Sequence, residues 1–224
     1  MAPQIEVHVW SLDPTASVSA TALATLSERE RARMARFVFD KDRFRFGQSH
    51  VRMRALLGAH LGLAAADVTF DETEHGKPFI VGGPFFNLSH SHNLAALAIT
   101  DTFDLGLDIE HVRGIEGPEI ARRFFSAREC AALSAYSGAA YEAAFYRCWT
   151  RKEAYVKAQG EGLGISLQAF DVTIDEEAPR ILRIDGDDAG AWRLVSFKPA
   201  DGYQGALAMR SRRDDISLKV ITSA

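Results

Sequence analysis

The sequence predicts an α+β fold of two similar halves, each a helix packed on a small, mostly antiparallel sheet. Three observations carry that prediction. Each half contains one long helical stretch that stops at glycine, and short strands separated by Gly, Pro and Asp turns accompany it. The third is an internal echo. Ala66-Asp-Val-Thr-Phe70 returns as Phe170-Asp-Val-Thr-Ile174, Ala96-Leu-Ala-Ile99 as Ala206-Leu-Ala-Met209, and Asp104-Leu-Gly-Leu107 as Asp215-Ile-Ser-Leu218. The matches keep one order at offsets of about 104 to 111 residues, as a duplication would leave them. The halves are set at residues 1–111 and 112–224.

The elements follow in order. Ile5, Val7 and Val9 alternate with Glu6 and His8, which predicts an opening strand. Ser27-x-x-Glu30 is a capping box that starts a helix running to about Phe39. A second helix spans Asp42 to Leu61, with Gly62 as its stop. A strand near Val68–Phe70 precedes the turn His75-Gly-Lys-Pro78, and strands follow at Phe79–Val81 and Phe85–Leu88. Leu94–Ile99 and Leu105–Ile109 read as a hairpin joined by Thr100–Asp104. The chain turns helical after Pro118, breaks near Ser137-Gly138, and continues as a strong helix from Tyr141 to Gln159. From Phe170 onward, strands alternate with polar turns.

With 224 residues, 47% of them hydrophobic, the chain can bury a core without disulfides or a structural metal. No apolar run is long enough to span a bilayer, and the first residues lack the pattern of a secretion signal. Cys130 and Cys148 form no metal or redox motif and read as thiols of a reducing cytoplasm. The net charge of −4 conceals an asymmetry: residues 27–54 carry nine cations against four acids. Arginine in that density suits an anionic ligand, while a pI near 6.0 argues against nucleic acid. On charge alone, a solvated helix with incidental Glu–Arg pairs explains the segment equally well.

Three fragments bear chemistry. In Leu105-Gly-Leu-Asp-Ile-Glu110, strand alternation puts Asp108 and Glu110 on one face and Leu107 and Ile109 on the other. Neighbouring carboxylates without His or Cys suit a hard cation such as Mg²⁺, or are ordinary solvated acids at a strand end. Trp149, Glu153 and Lys157 share a helix face; Glu153 and Lys157 form either a helical ion pair or a third carboxylate with a phosphate-neutralising ammonium. Phe85-Phe-Asn-Leu-Ser-His-Ser-His92 ends a buried strand in hydroxyls and imidazoles fit to grip an oxyanion; no further His or Cys stands nearby to make it a zinc site. Asp185-Gly-Asp-Asp188 reads as a polar turn.

Asn87-Leu-Ser-His-Ser91, Gly106-Leu-Asp-Ile-Glu110 and Trp149-Thr-Arg-Lys-Glu-Ala-Tyr-Val-Lys157 together resemble the three signatures of the 4′-phosphopantetheinyl transferases, in the larger, Sfp-type branch. Gly76-Lys77-Pro78 matches a further element, so the likeness runs from about residue 27 to 170. The resemblance implies a pseudo-twofold pair of halves and a monomer. It also implies Mg²⁺-dependent transfer of the phosphopantetheine arm of coenzyme A to a serine of an apo acyl or peptidyl carrier protein, with release of adenosine 3′,5′-bisphosphate. By position, Asp108, Glu110 and Glu153 would hold the metal and Lys157 would sit on the transferred phosphate. Ser89 and His90 would contact the 3′-phosphate, and Arg33, Arg45, Arg54, Gly76, Lys77 and Pro78 would complete the coenzyme cradle. Glu30 and Phe46 replace the lysine and small polar residue of some members, which leaves Arg33 as the contact. Glu129 matches a proposed catalytic base, although Ser126-x-x-Glu129 is equally a capping box and a metal-bound water is the other candidate base. The carrier would dock on segment 117–140, beside Arg122, Arg123 and Arg128. The rival readings are a non-catalytic coenzyme A or carrier-binding protein and a Mg²⁺-dependent phosphodiesterase.

Overall fold

The computed structural model describes residues 2–115, 119–161 and 164–223. The first half runs β1 (Gln4–Ser11), α1 (Ala20–Leu23), α2 (Glu28–Ala35), α3 (Asp40–Leu61), the short pair β2 (Asp71–Glu72) and β3 (Pro78–Phe79), β4 (Phe85–Ser91) and β5 (Leu94–Thr100). Then come β6 (Leu105–His111), α4 (Glu119–Phe124), α5 (Ala127–Leu133), α6 (Gly138–Gln159), β7 (Phe170–Val172), β8 (Ile181–Ile184), β9 (Trp192–Phe197), β10 (Tyr203–Arg210) and β11 (Ser217–Ser223). Pro118, where the sequence predicts the turn to helix, lies outside the described residues.

Two sheets, ordered β11-β1-β5-β4 and β6-β10-β9, stand between the two long helices. Strand alternation builds the layers. On β5, Leu97 and Ile99 meet Met53 and Leu57 of α3, while Ala96 and Ala98 face the other sheet. On β10, Ala206 and Ala208 pack under α6, while Leu207 and Met209 point into the inter-sheet core with Ile5, Val7 and Val9. The helices α3 and α6 each span 22 residues and each end at a left-handed glycine, Gly62 and Gly160. The predicted pair of similar α+β halves is therefore present.

Several predicted elements change. The hairpin of Leu94–Ile99 with Leu105–Ile109 does not form, because β1 and β4 already occupy both edges of β5. β6 pairs instead with β10, and the hairpin is β4–β5, turned at His92-Asn93 with His92 at φ 52°. Val68–Phe70 is not a strand: the Arg54 guanidinium takes the Val68 carbonyl at 2.8 Å, and Val68 plugs the α3 core. α2 stops at Ala35, ahead of the poor helix formers Phe37-Val38-Phe39.

The echo is positional for β5 and β10, each the partner of an antiparallel strand on both sides. It is not positional for its third match, since β11 runs parallel to β1 while β6 runs antiparallel to β10. In register, Asp108 faces Ala206 as Val9 faces Ala96, and Glu110 faces Gln204 as Ser11 faces Leu94. The acids of β6 thus stand where β1 carries Val9 and Ser11, so the fold itself does not require them. Strand sharing ties the halves together: β6 ends at residue 111 yet ladders with β10, and β11 ladders with β1.

Gly106 sets the depth at which α6 packs. A Cβ there would stand 2.1 Å from the Ala154 carbonyl oxygen and 2.3 Å from the Ala158 nitrogen, both backbone. Gly106→Ala is expected to push α6 off β6 and lower stability by about 2–3 kcal/mol, read as a fall in the urea midpoint. An unchanged midpoint would mean that the helix is free to shift.

Candidate active site

β6 presents Gly106, Asp108 and Glu110 to α6, and Leu105, Leu107 and Ile109 to the inter-sheet core. Asp108 is buried; its Oδ1 accepts from Lys157 Nζ at 2.7 Å and from the Ser89 hydroxyl at 3.1 Å. Lys157 Nζ also donates to Ser89 Oγ at 3.1 Å. The helical ion pair with Glu153 is therefore not what occupies Lys157. The other oxygen of Asp108, Oδ2, is buried without a hydrogen-bond partner.

Burial raises the pKa of Asp108, against the opposing charge of Lys157. Burial raises Glu110 as well, with the Asp108 charge adding to the effect and the Ser91 hydroxyl opposing it. Glu153 is raised by burial and next by Asp108. The three acids named from sequence thus share one field, with one lysine among them. Among the described residues, no three His, Cys, Asp or Glu side chains already stand together as a metal-holding group. The donor set nevertheless suits a hard divalent cation: every donor is a carboxylate oxygen, and Asp108 Oδ2 lacks a partner.

His90 lies beside this cluster on β4, its pKa lowered by burial and then by the cations Lys157 and Arg45. The Arg45 guanidinium donates to Asn93 Oδ1 at 2.9 Å. A cleft of about 1090 Å³ opens between α2, α3 and the β2–β3 turn. Arg33, Arg54, Gly76 and Pro78, all predicted coenzyme contacts, line it, as do Arg29, Arg36 and His75, which the sequence reading did not single out. Gly76 turns the chain there at φ 83°, a conformation that favours glycine.

Two predicted phosphate contacts are otherwise engaged. Arg54 is buried, giving Nε to Glu30 at 2.7 Å and Nη1 to the carbonyls of Ala65 and Val68. Lys77 Nζ clips the end of α6 to β6, donating to Asp104 Oδ1 at 2.7 Å, Leu105 O at 3.1 Å and Ala158 O at 3.3 Å. Glu129, the predicted base, is 1% exposed. It closes the capping box with the Ser126 N–H, accepts from the Val172 N–H at 2.8 Å, and pairs with the fully buried Lys152 at 2.9 Å. The capping alternative is realised, and both oxygens are engaged.

Sequence reasoning missed Lys152, which donates to the Leu167 and Phe170 carbonyls, and Arg151, which binds Thr173 and Ser196. It quoted Asn87 and Ser91 within a motif but did not foresee their bonds to β6. Asn87, Ser89 and Ser91 each accept a backbone N–H of β6, from Leu107, Ile109 and His111. A polar alternation on a strand otherwise suited to burial is the signal that would have shown them.

His50, on the cleft wall, stacks on Phe46 at 3.7 Å between ring centroids. Burial pushes its pKa down to about 4. Between about pH 6.5 and 4 the unfolded chain binds a proton that folded His50 does not, so stability falls as pH drops through that window. His50→Gln is expected to flatten this slope in urea titrations. An equally steep slope in the variant would assign it to other groups.

Asp108 bound to Lys157, with Glu110 and Glu153 in the same field, and a cleft lined by arginines are features that suit a phosphate-bearing substrate. The comparisons narrow that class. Residues 104–208 match the model of the 4′-phosphopantetheinyl transferase superfamily, and residues 9–102 that of the 4′-phosphopantetheinyl transferase N-terminal region. The chain is 37% identical over 212 residues to the 4′-phosphopantetheinyl transferase HetI of Nostoc sp., covering 91% of this chain and 87% of that one. It is 32% identical to the 4′-phosphopantetheinyl transferase Sfp of Bacillus subtilis, over 83% and 82% of the two chains. A phosphopantetheinyl transferase of Thraustochytrium sp. is 31% identical, over 82% and 72%. The protein belongs to the 4′-phosphopantetheinyl transferase superfamily and is an enzyme of phosphopantetheinyl transfer, with coenzyme A as substrate.

Proposed function

We propose that this enzyme moves the 4′-phosphopantetheine arm of coenzyme A onto a serine of an apo acyl or peptidyl carrier protein, with Mg²⁺, and releases adenosine 3′,5′-bisphosphate. The observation that carries the proposal is the Asp108–Lys157–Ser89 constellation, in which the buried Asp108 keeps one carboxylate oxygen unpartnered. Asp108, Glu110 and Glu153 would hold the cation, which when bound neutralises charge building on the pyrophosphate.

The chain's own residues supply the rest. Lys157, 30% exposed at its side chain, would meet the phosphate that transfers. Arg33, Gly76 and Pro78 line the cleft for the nucleotide end, Arg45 adds positive charge near the acids, and His90, its pKa lowered by burial, would offer a neutral imidazole. The serine oxygen bonds to the phosphorus that carries pantetheine, the pyrophosphate bridge breaks, and the bisphosphate leaves. The serine proton would pass to a water beside the acids, since Glu129 is buried with both oxygens engaged and is accordingly no part of the proposal.

Arg122, Arg123 and Arg128 are exposed on α4 and α5, next to a hollow lined by Phe125, Cys130 and Gln168; here the carrier is proposed to dock. Residues 117 and 118 of the docking segment lie outside the described residues. The two halves supply the interface, so the enzyme is proposed to act as a monomer, in the cytoplasm. Among the described residues, no helix is long and apolar enough to cross a membrane.

The test is intact-mass spectrometry of apo acyl and apo peptidyl carriers incubated with the enzyme, coenzyme A and Mg²⁺. A gain of about 340 Da, the mass of the phosphopantetheine arm, that requires the metal supports the proposal. Binding of coenzyme A without any gain on either carrier would favour a non-catalytic binding protein.

A further inference from the structure

β4 meets β6 through three side-chain rungs in place of a backbone ladder. Asn87 Oδ1 accepts the Leu107 N–H at 2.9 Å, Ser89 Oγ the Ile109 N–H at 3.2 Å, and Ser91 Oγ the His111 N–H at 3.1 Å. The residue preceding each of those N–H groups differs: Gly106, Asp108 and Glu110 in turn. Where a carboxylate precedes, the rung is a serine; where glycine precedes, it is an asparagine.

The difference is chemical. An amide oxygen that accepts an N–H has no proton of its own to give, whereas a hydroxyl that accepts one still donates. Ser89 gives that proton to Asp108 Oδ1 and Ser91 gives its own to Glu110 Oε2, at 3.1 Å and 2.5 Å. The backbone N–H fixes the hydroxyl oxygen, which directs the hydroxyl hydrogen at the carboxylate.

We propose that Ser91 is a positioning residue for Glu110, holding its carboxylate at the orientation in which it serves a divalent cation. The inference rests on Glu110 being a metal-holding carboxylate. Outer-shell hydrogen bonds of this kind set metal affinity by about 10- to 100-fold.

The experiment titrates Mn²⁺ alone into the full-length protein, without coenzyme A, and reads the free ion by electron paramagnetic resonance. Ser91→Ala, Ser91→Thr and Asn87→Ala are compared with the parent protein, each first shown to be folded by circular dichroism. Ser91→Ala is expected to weaken Mn²⁺ binding by about tenfold. Ser91→Thr, which keeps the hydroxyl, should bind as the parent does. Asn87→Ala removes a rung that carries no carboxylate; it should lower the melting temperature and leave Mn²⁺ affinity unchanged. The proposal is overturned if Ser91→Ala binds as the parent does, or if Ser91→Ala and Asn87→Ala weaken binding equally. Should Asn87→Ala not fold, the Ala-against-Thr contrast at position 91 decides. A parent protein that binds Mn²⁺ no better than Asp108→Ala overturns the metal reading of the acids, and Ser91's role with it.

Discussion

Asp108→Asn is expected to lower transfer of the pantetheine arm by about 10³-fold, roughly 4 kcal/mol of transition-state stabilisation. The substitution keeps the shape of the side chain and removes one negative charge. Lys157 then loses the charged acceptor 2.7 Å away, and the carboxylate with a buried, unpartnered oxygen is gone. The fold should persist, because burial already disfavours the charged form of Asp108. The measurement is kcat with coenzyme A and an apo carrier, alongside a melting curve. A loss below tenfold in a folded variant would remove Asp108 from the metal-holding set.

The second large effect concerns stability. Lys152→Met should cost about 3–5 kcal/mol, since it strands the Glu129 charge in the interior. Lys152 and Glu129 are 0% and 1% exposed, and their pairing pins α5 and β7 to α6. Urea unfolding measures the loss, and the double variant Lys152→Met/Glu129→Gln should recover part of it by leaving no buried charge. Glu129→Gln alone separates a cap from a base. A general base contributes about 10²–10⁴-fold, so a folded variant retaining turnover within a few-fold is the result expected of a residue that only caps.

Local patterns were the most legible part of the sequence. The capping boxes at Ser27 and Ser126, the glycine stops at 62 and 160, and the two faces of β6 all follow from neighbours in the chain. Pairing was less legible. Leu94–Ile99 and Leu105–Ile109 are adjacent and apolar, and only β1 and β4, on either edge of β5, rule out their hairpin. For the site, residue type and spacing indicated Asp108, Glu110, Glu153 and Lys157. The engagement of Lys77 and Arg54, and that of Glu129 beyond its capping box, was hidden because those partners lie 11 to 81 residues away: Ala158 for Lys77, Ala65 for Arg54 and Val172 for Glu129.

The exchange of strands between the halves has a kinetic meaning. β1 is synthesised some two hundred residues before β11, so its outer edge gains that partner only when residues 217–223 exist. β6 likewise waits for β10. Until then the row of Ile5, Val7 and Val9 lies on an unpaired edge, which invites mispairing with other chains. Closing contacts that span more than two hundred residues is slow relative to forming α3 or the β4–β5 hairpin. The first half therefore folds provisionally and becomes native only together with the second, so order of synthesis and order of completion part company.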